Sequence, residues 1–302
     1  MAALSDNLKN QLHLHFIVFL FGFTGILGEL ITVNAIPLVW HRMWMAVATL
    51  TIVLLAMKKK LNVPAKEMGK LALTGVLIAF HWITFFHAIK VSNVSITLAC
   101  LSAAPFFTSL LEPILFRRKL VLAEMLLGLF TIVGISLIFQ VGEAYYAGIF
   151  FALISAFLAA LFAVINGTHI RRHSAQVISY WELLGGFLAT TLFLFAIGEM
   201  NAQSIALSIN DFWMIFILAT VCTAYAFIVS VGVMRVLNPF TVVLSINMEP
   251  VYGILLAFLV FGESERMSGN FYFGALIILS TVFINAYLRR RRRLKPAAVH
   301  EV

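Results

Sequence analysis

Residues 238–261 read NPFTVVLSINMEPVYGILLAFLVF, and residues 93–116 read NVSITLACLSAAPFFTSLLEPILF. A shift of 145 residues lays one on the other: Lys90 falls on Arg235, Asn93 on Asn238, Pro105 on Pro250 and Phe116 on Phe261. Each stretch is apolar and about as long as the ~20 residues that a helix needs to cross a bilayer. Nearer the start of each half the offset is closer to 140, which sets Trp40-His41-Arg42 against Tyr180-Trp181-Glu182. The chain therefore reads as one unit written twice.

Working outward, ten such runs fill the sequence. They lie near 13–33, 36–57, 69–90, 94–116, 121–140, 145–169, 175–198, 212–235, 239–261 and 270–288. Five runs per unit is an odd number, so the second unit enters the membrane from the opposite side. The halves are then related by a pseudo-two-fold axis in the membrane plane, an arrangement of secondary transporters. Composition agrees. Of the 302 residues, 62% are hydrophobic and 11% charged, with mean hydropathy +1.01. Soluble domains carry about 25% charged residues, so lipid must cover this surface. Backbone groups in lipid satisfy one another within a helix. The expected fold class is an all-α membrane protein of ten transmembrane helices, in two inverted five-helix repeats. Its parts are residues 1–140, residues 141–288 and a basic tail at 289–302.

The net charge of +8 is a matter of placement. Lys9, Lys58-Lys59-Lys60, Lys66, Lys70, Arg117-Arg118-Lys119, Arg171-Arg172, Arg235, Arg289–Arg293 and Lys295 fall on one side of the ten spans. Little beyond Lys90 and Arg266 falls on the other. The positive-inside rule then sets both termini in the cytoplasm. The arginine tail reads as a topology anchor beside anionic headgroups rather than a nucleic-acid patch, and no nucleic acid is expected as a partner. Cys100 and Cys222 lie inside spans, so no disulfide framework is indicated. The first run contains Glu29 and precedes nine others, and reads as a retained helix rather than a signal peptide.

Three stretches resemble the drug/metabolite transporter superfamily in its EamA-type branch of ten-helix exporters. Pro37-Leu38-Val39-Trp40-His41-Arg42-Met43 resembles that family's arginine-bearing second helix. Met248-Glu249-Pro250-Val251-Tyr252-Gly253 resembles its proline-containing ninth helix, and Phe261-Gly262-Glu263 the Gly-Glu at that helix's end. In the first half Arg117-Arg118-Lys119 stands where a Gly-Glu pair is usual. The resemblance covers about residues 13–288. It implies transport of small organic molecules, including amino acids for some members, and a multi-pass protein of the bacterial inner membrane.

Ionisable side chains inside spans are costly and tend to face a cavity or a partner. Glu249 is the deepest acid and sits beside Pro250, whose ring frees a carbonyl one turn earlier. It reads either as a proton or substrate site or as a structural partner of a neighbouring helix. His81 and Trp82 lie near the middle of the third span. A histidine there can titrate near neutral pH, and an indole can stack on a ligand; a histidine bonded to a neighbouring helix is the plainer alternative. Arg42 and Glu182 are pseudo-symmetric and opposite in sign. Arg42 suits a substrate carboxylate, although both could snorkel to an interface. Tyr225 and Tyr252 are candidates for lining a polar cleft, and Pro105 and Pro250 are the expected helix kinks. Gly22, Gly25 and Gly28 suit close helix packing.

No nucleotide loop, Ser-His-Asp set, cysteine cluster or metal-ligand spacing is present, so no cofactor or metal is expected. Energy would come from an ion gradient, with proton coupling open, from exchange, or from the substrate's own gradient. The expected function is a secondary transporter that exports small organic metabolites by alternating access, and not an enzyme. Two alternatives remain: an intramembrane lipid-modifying enzyme using Glu249 and His81, and an uncoupled facilitator or channel. The apolar fifth and tenth spans could pair, and a homodimer stays open.

Overall fold

The structure is a computed structural model that describes residues 6–59, 61–117, 122–138, 140, 142–237, 239–246 and 248–293. Lys60, Arg118, Lys119, Asn238, Asn247 and Lys295 lie outside them. The described chain is helical, and seven stretches are long and apolar enough to cross a membrane: Leu12–Leu30, Ala35–Ala56, Ala65–Val91, Val94–Phe116, Glu143–His169, Ala175–Ala196 and Ile209–Val233. Two shorter apolar stretches, Leu126–Ile138 and Gly269–Thr281, fall where the fifth and tenth spans are expected. The expected ninth span is divided between two short helices.

In chain order the first half holds α1 (Asp6–Leu30), α2 (Ala35–Ala56), α3 (Ala65–Val91), α4 (Val94–Leu101), α5 (Ala104–Phe116) and α6 (Leu122–Ile138). The second holds α7 (Tyr146–His169), α8 (Ala175–Ala196), the short α9 (Ala202–Ile205), α10 (Ile209–Ala219), α11 (Ala226–Val233), α12 (Pro239–Ile246), α13 (Glu249–Phe261) and α14 (Gly269–Arg293). A π-helical segment, Thr220–Tyr225, joins α10 to α11. Polar side chains start several helices by accepting from first-turn amides. Asn93 accepts from Ile96 N at 2.9 Å, and Ser208 from Asp211 N at 3.0 Å.

The two breaks match. α5 opens on Ala104-Pro105 and α13 on Glu249-Pro250, each proline in a first turn, where its missing N–H costs no hydrogen bond. Both prolines thus stand in the first turn of a half-helix, just past a short interruption in each expected span.

Packing relies on small residues. Gly75 backs onto the Glu182 carbonyl, and Gly185 onto the Ala72 backbone, drawing α3 and α8 together. Contacts of Gly185 with Ala72 and of Phe80 with Phe193 advance in step, so these two helices run parallel. α3 and α7 are antiparallel, as Thr74–His169 and Gly148–Ser92 contacts require. α6 and α14 also run antiparallel: Thr131 meets Thr281 at 3.2 Å, and Asn270 donates to Gln140 at 2.9 Å. The pairing of the expected fifth and tenth spans therefore occurs within the chain. On α1, Gly22 meets Tyr252, Gly25 meets Val94 and Gly28 meets Phe86, which is the packing role. Large apolar residues such as Leu55, Leu192 and Leu259 remain exposed on the outside, as on a surface that lipid covers.

These directions give the molecule two unlike ends. One is basic. There Glu67 pairs with Lys70 at 2.6 Å and faces Arg172 and His173, and Arg235 donates to the His173 carbonyl at 3.2 Å. At the other end two carboxylates of the second half bind the first half. Asp211 accepts from Thr32 N at 2.7 Å and from Thr32 Oγ1 at 2.6 Å. Glu265 accepts from Val94 N at 3.0 Å and Ser95 N at 2.9 Å, so it caps α4. Glu263 of the Gly-Glu pair is instead exposed and pairs with Arg266 at 3.1 Å.

Candidate substrate site

A cavity of about 110 Å³ lies between the halves. One water needs roughly 10–15 Å³ in that measure, so the space suits a small organic molecule. α1, α2, α3, α4 and α5 supply its first-half wall, and α7, the π-segment, α11, α12 and α13 the second. The lining is aromatic and apolar, with Phe21, Trp82, Phe85, Phe162 and Phe227, and its ionisable groups are Arg42, His81, Cys222 and Glu249. It reaches Met234, which follows α11 at its basic end, and the middles of α11 and α12 at Ser230 and Val243. The opposite end carries the Asp211 and Glu265 bonds.

Arg42 is buried, at 2% exposure, and so does not snorkel. Its guanidinium carbon sits 3.8 Å from the Trp82 ring centroid, a stacked cation–π contact. Its Nε donates to Thr223 Oγ1 at 2.6 Å. Thr223 stands on the π-segment and donates onward to the Leu218 carbonyl, five residues back, at 2.7 Å. One terminal nitrogen, Nη1, is buried without a partner. The guanidinium is therefore fixed from one edge and one face, with donor capacity left over.

Glu249 is buried as the first residue of α13 and feels Arg42 electrostatically. No ion pair within 4 Å joins the two among the described residues, so an acid and a base from different halves share one cavity with space between them. His81 is tied to α7: its Nδ1 lies 2.9 Å from the Ser155 carbonyl and 2.8 Å from Ser155 Oγ. A carbonyl opposite Nδ1 calls for the proton there and leaves Nε2 as the ring's acceptor.

Arg42, His81, Trp82 and Glu249 of the sequence candidates are thus brought together, and Pro250 joins the lining. Tyr225 and Tyr252 are not. Tyr225 is 40% exposed and bonds His13 at 2.5 Å, while Tyr252 packs on Phe19 and Gly22 of α1. Neither is among the residues that line the cavity, which corrects the expectation that they do. Pro105 is buried at the start of α5, where its neighbour Ala104 lines the cavity instead. Sequence reasoning missed Thr223 and Ser230. Thr223 lies in an apolar run, and no local signal marks the π-turn that aims it.

The family model for EamA-like transporters matches the chain twice in tandem, over residues 12–140 and 146–287. The chain belongs to the EamA-like transporter family. An uncharacterized transporter of Clostridium kluyveri is 23% identical over 238 residues, which is 75% of each chain. A solved crystal structure matches with a TM-score of 0.68 at 17% identity, covering 94% of this chain and 99% of that one. At that identity the likeness shows the fold alone. This EamA-family protein is a multi-pass membrane transporter by family, and its basic and acidic cavity groups come one from each copy of the family unit.

Proposed function

We propose that this chain is a ten-span secondary transporter of the bacterial inner membrane, with both termini cytoplasmic. It exports small organic metabolites by alternating access. One observation carries the reading: Arg42 of the first half and Glu249 of the second face the same aromatic cavity, and neither is consumed by the other. Arg42 offers a fork to a carboxylate. Glu249 offers an acceptor for an ammonium or a carrier for a proton. Amino acids and related zwitterions therefore lead the substrate classes, with the aromatic walls favouring an apolar side chain.

The basic end supports a cytoplasmic assignment by the positive-inside rule. The cavity lining extends to Met234 beside that end, which supports loading from the cytoplasm. Rocking of one half against the other would break the Asp211 and Glu265 bonds and open the far side. Purified protein in liposomes should exchange labelled amino acids in counterflow. Arg42→Lys should reduce that exchange at least tenfold with normal protein yield. Full exchange by the lysine variant would remove Arg42 from the site, and no exchange of any small metabolite by the wild type would remove the transport reading.

A further inference from the structure

Glu182 has no place in the cavity or in the proposed cycle, yet it is wholly buried on α8. Its Oε2 accepts from Asn166 Nδ2 of α7 at 3.2 Å. Its Oε1 has no partner, and neither has Asn166 Oδ1 or Ser179 Oγ, both also buried. Ser179 stands one turn before Glu182 on the same helix face. Around the one engaged amide N–H, Glu182 Oε1, Asn166 Oδ1 and the Ser179 hydroxyl are all left unmatched.

The surrounding charged and titratable groups are committed elsewhere. On α7, His169 meets Thr74 Oγ1 at 3.2 Å. On α3, Glu67 and Lys70 pair with each other, and His81 is held by Ser155. On α2, Arg42 is held by Thr223, and His41 meets the Ile205 carbonyl at 2.9 Å. Beyond α11, Arg235 bonds the His173 carbonyl. None of these bonds Glu182. A buried carboxylate needs a counter-charge, and the described protein supplies none.

We infer that Glu182, Asn166 and Ser179 form a small-cation site, separate from the substrate cavity. The cation is a proton bound to the Glu182 carboxyl or an alkali-metal ion held by the unmatched oxygens. A proton would come from a hydronium ion in solution, whose O–H bond breaks to leave water as one O–H bond forms on the carboxyl. Asn166 lies one turn beyond the lining residue Ala163, toward Arg171-Arg172. The site therefore bridges α7 and α8, both of which pack on α3.

The inference does not need transport to be correct, and its test uses no substrate. Full-length protein in lipid nanodiscs is compared with Glu182→Gln, Asn166→Ala and Ser179→Ala, with Glu249→Gln as the control. Infrared spectra across pH seek the carbonyl band of an un-ionised carboxyl. Melting is monitored in sodium, potassium and choline chlorides at equal ionic strength. A band at neutral pH that Glu182→Gln removes and Glu249→Gln keeps identifies a proton. A sodium-specific rise in melting temperature lost only in Glu182→Gln identifies the metal ion. The Asn166 and Ser179 variants should shift the pH midpoint or the half-effective sodium concentration several-fold. They decide the matter if Glu182→Gln does not fold. Neither a Glu182-dependent band nor a Glu182-dependent sodium effect, with no shift in the other two variants, would overturn the site.

Discussion

Arg42 shows how much one residue depends on its supports. A guanidinium taken from water into a span is stable only with partners. Here Trp82 covers one face and Thr223 accepts from Nε. Thr223→Val keeps the shape but removes that acceptor, leaving a buried donor unmatched at a cost of about 1–3 kcal/mol. Its melting temperature should fall, and Thr223→Ser should restore it. Equal melting of the valine variant and wild type would show that Arg42 finds another partner. Arg42, His81, Trp82 and Glu249 were legible in the sequence because polar groups stand out in apolar runs. Tyr225 misled because a π-turn ends at it: the extra residue changes the helical phase, and Tyr225 meets His13 instead of the cavity.

At the scale of elements, the repeated Pro105 and Pro250 were legible as interruptions, and the structure makes them starts of half-helices. The close helix pairs were less legible, since a glycine in a span does not say which neighbour it admits. Gly274 lies against the Gly134 carbonyl, where an added Cβ would come within 2.6 Å of that oxygen. The contact is backbone, so no side chain can turn aside. Gly274→Leu should therefore part α6 from α14 and destabilise by at least the 1–3 kcal/mol typical of overpacking. Folded yield after extraction checks this, and unchanged yield would mean that the two helices are not packed as described. Thr131 and Thr281 lie on the same seam, and Thr281→Val should do far less harm.

Over the whole molecule, charge placement foretold two unlike ends, because lysines and arginines in loops track topology. Which end would be sealed was not readable. In the proposed cycle the outer side is held by carboxylates on backbone amides, and any sequence has amides. Asp211 and Glu265 each hold amide donors of the first half, bonds of about 1.5–3 kcal/mol apiece for charged acceptors. Replacing both, by Asp211→Asn and Glu265→Gln, should shift the protein toward an outward-open form. Cys222 lines the cavity, whereas Cys100 is fully buried away from it. An impermeant thiol reagent outside intact cells should then label Cys222 faster in the double variant than in wild type. Equal rates would show that these bonds do not hold the outer side closed.

The central claim is that Glu249 moves charge or substrate through a cavity shared by both halves. It is tested most directly by Glu249→Gln in liposomes, with gradient-driven uptake, substrate exchange and melting measured on one preparation. The account predicts loss of gradient-driven transport with melting near that of wild type, while exchange, which needs no net proton movement, can survive. A variant that keeps wild-type, pH-dependent gradient-driven transport at normal stability would contradict it.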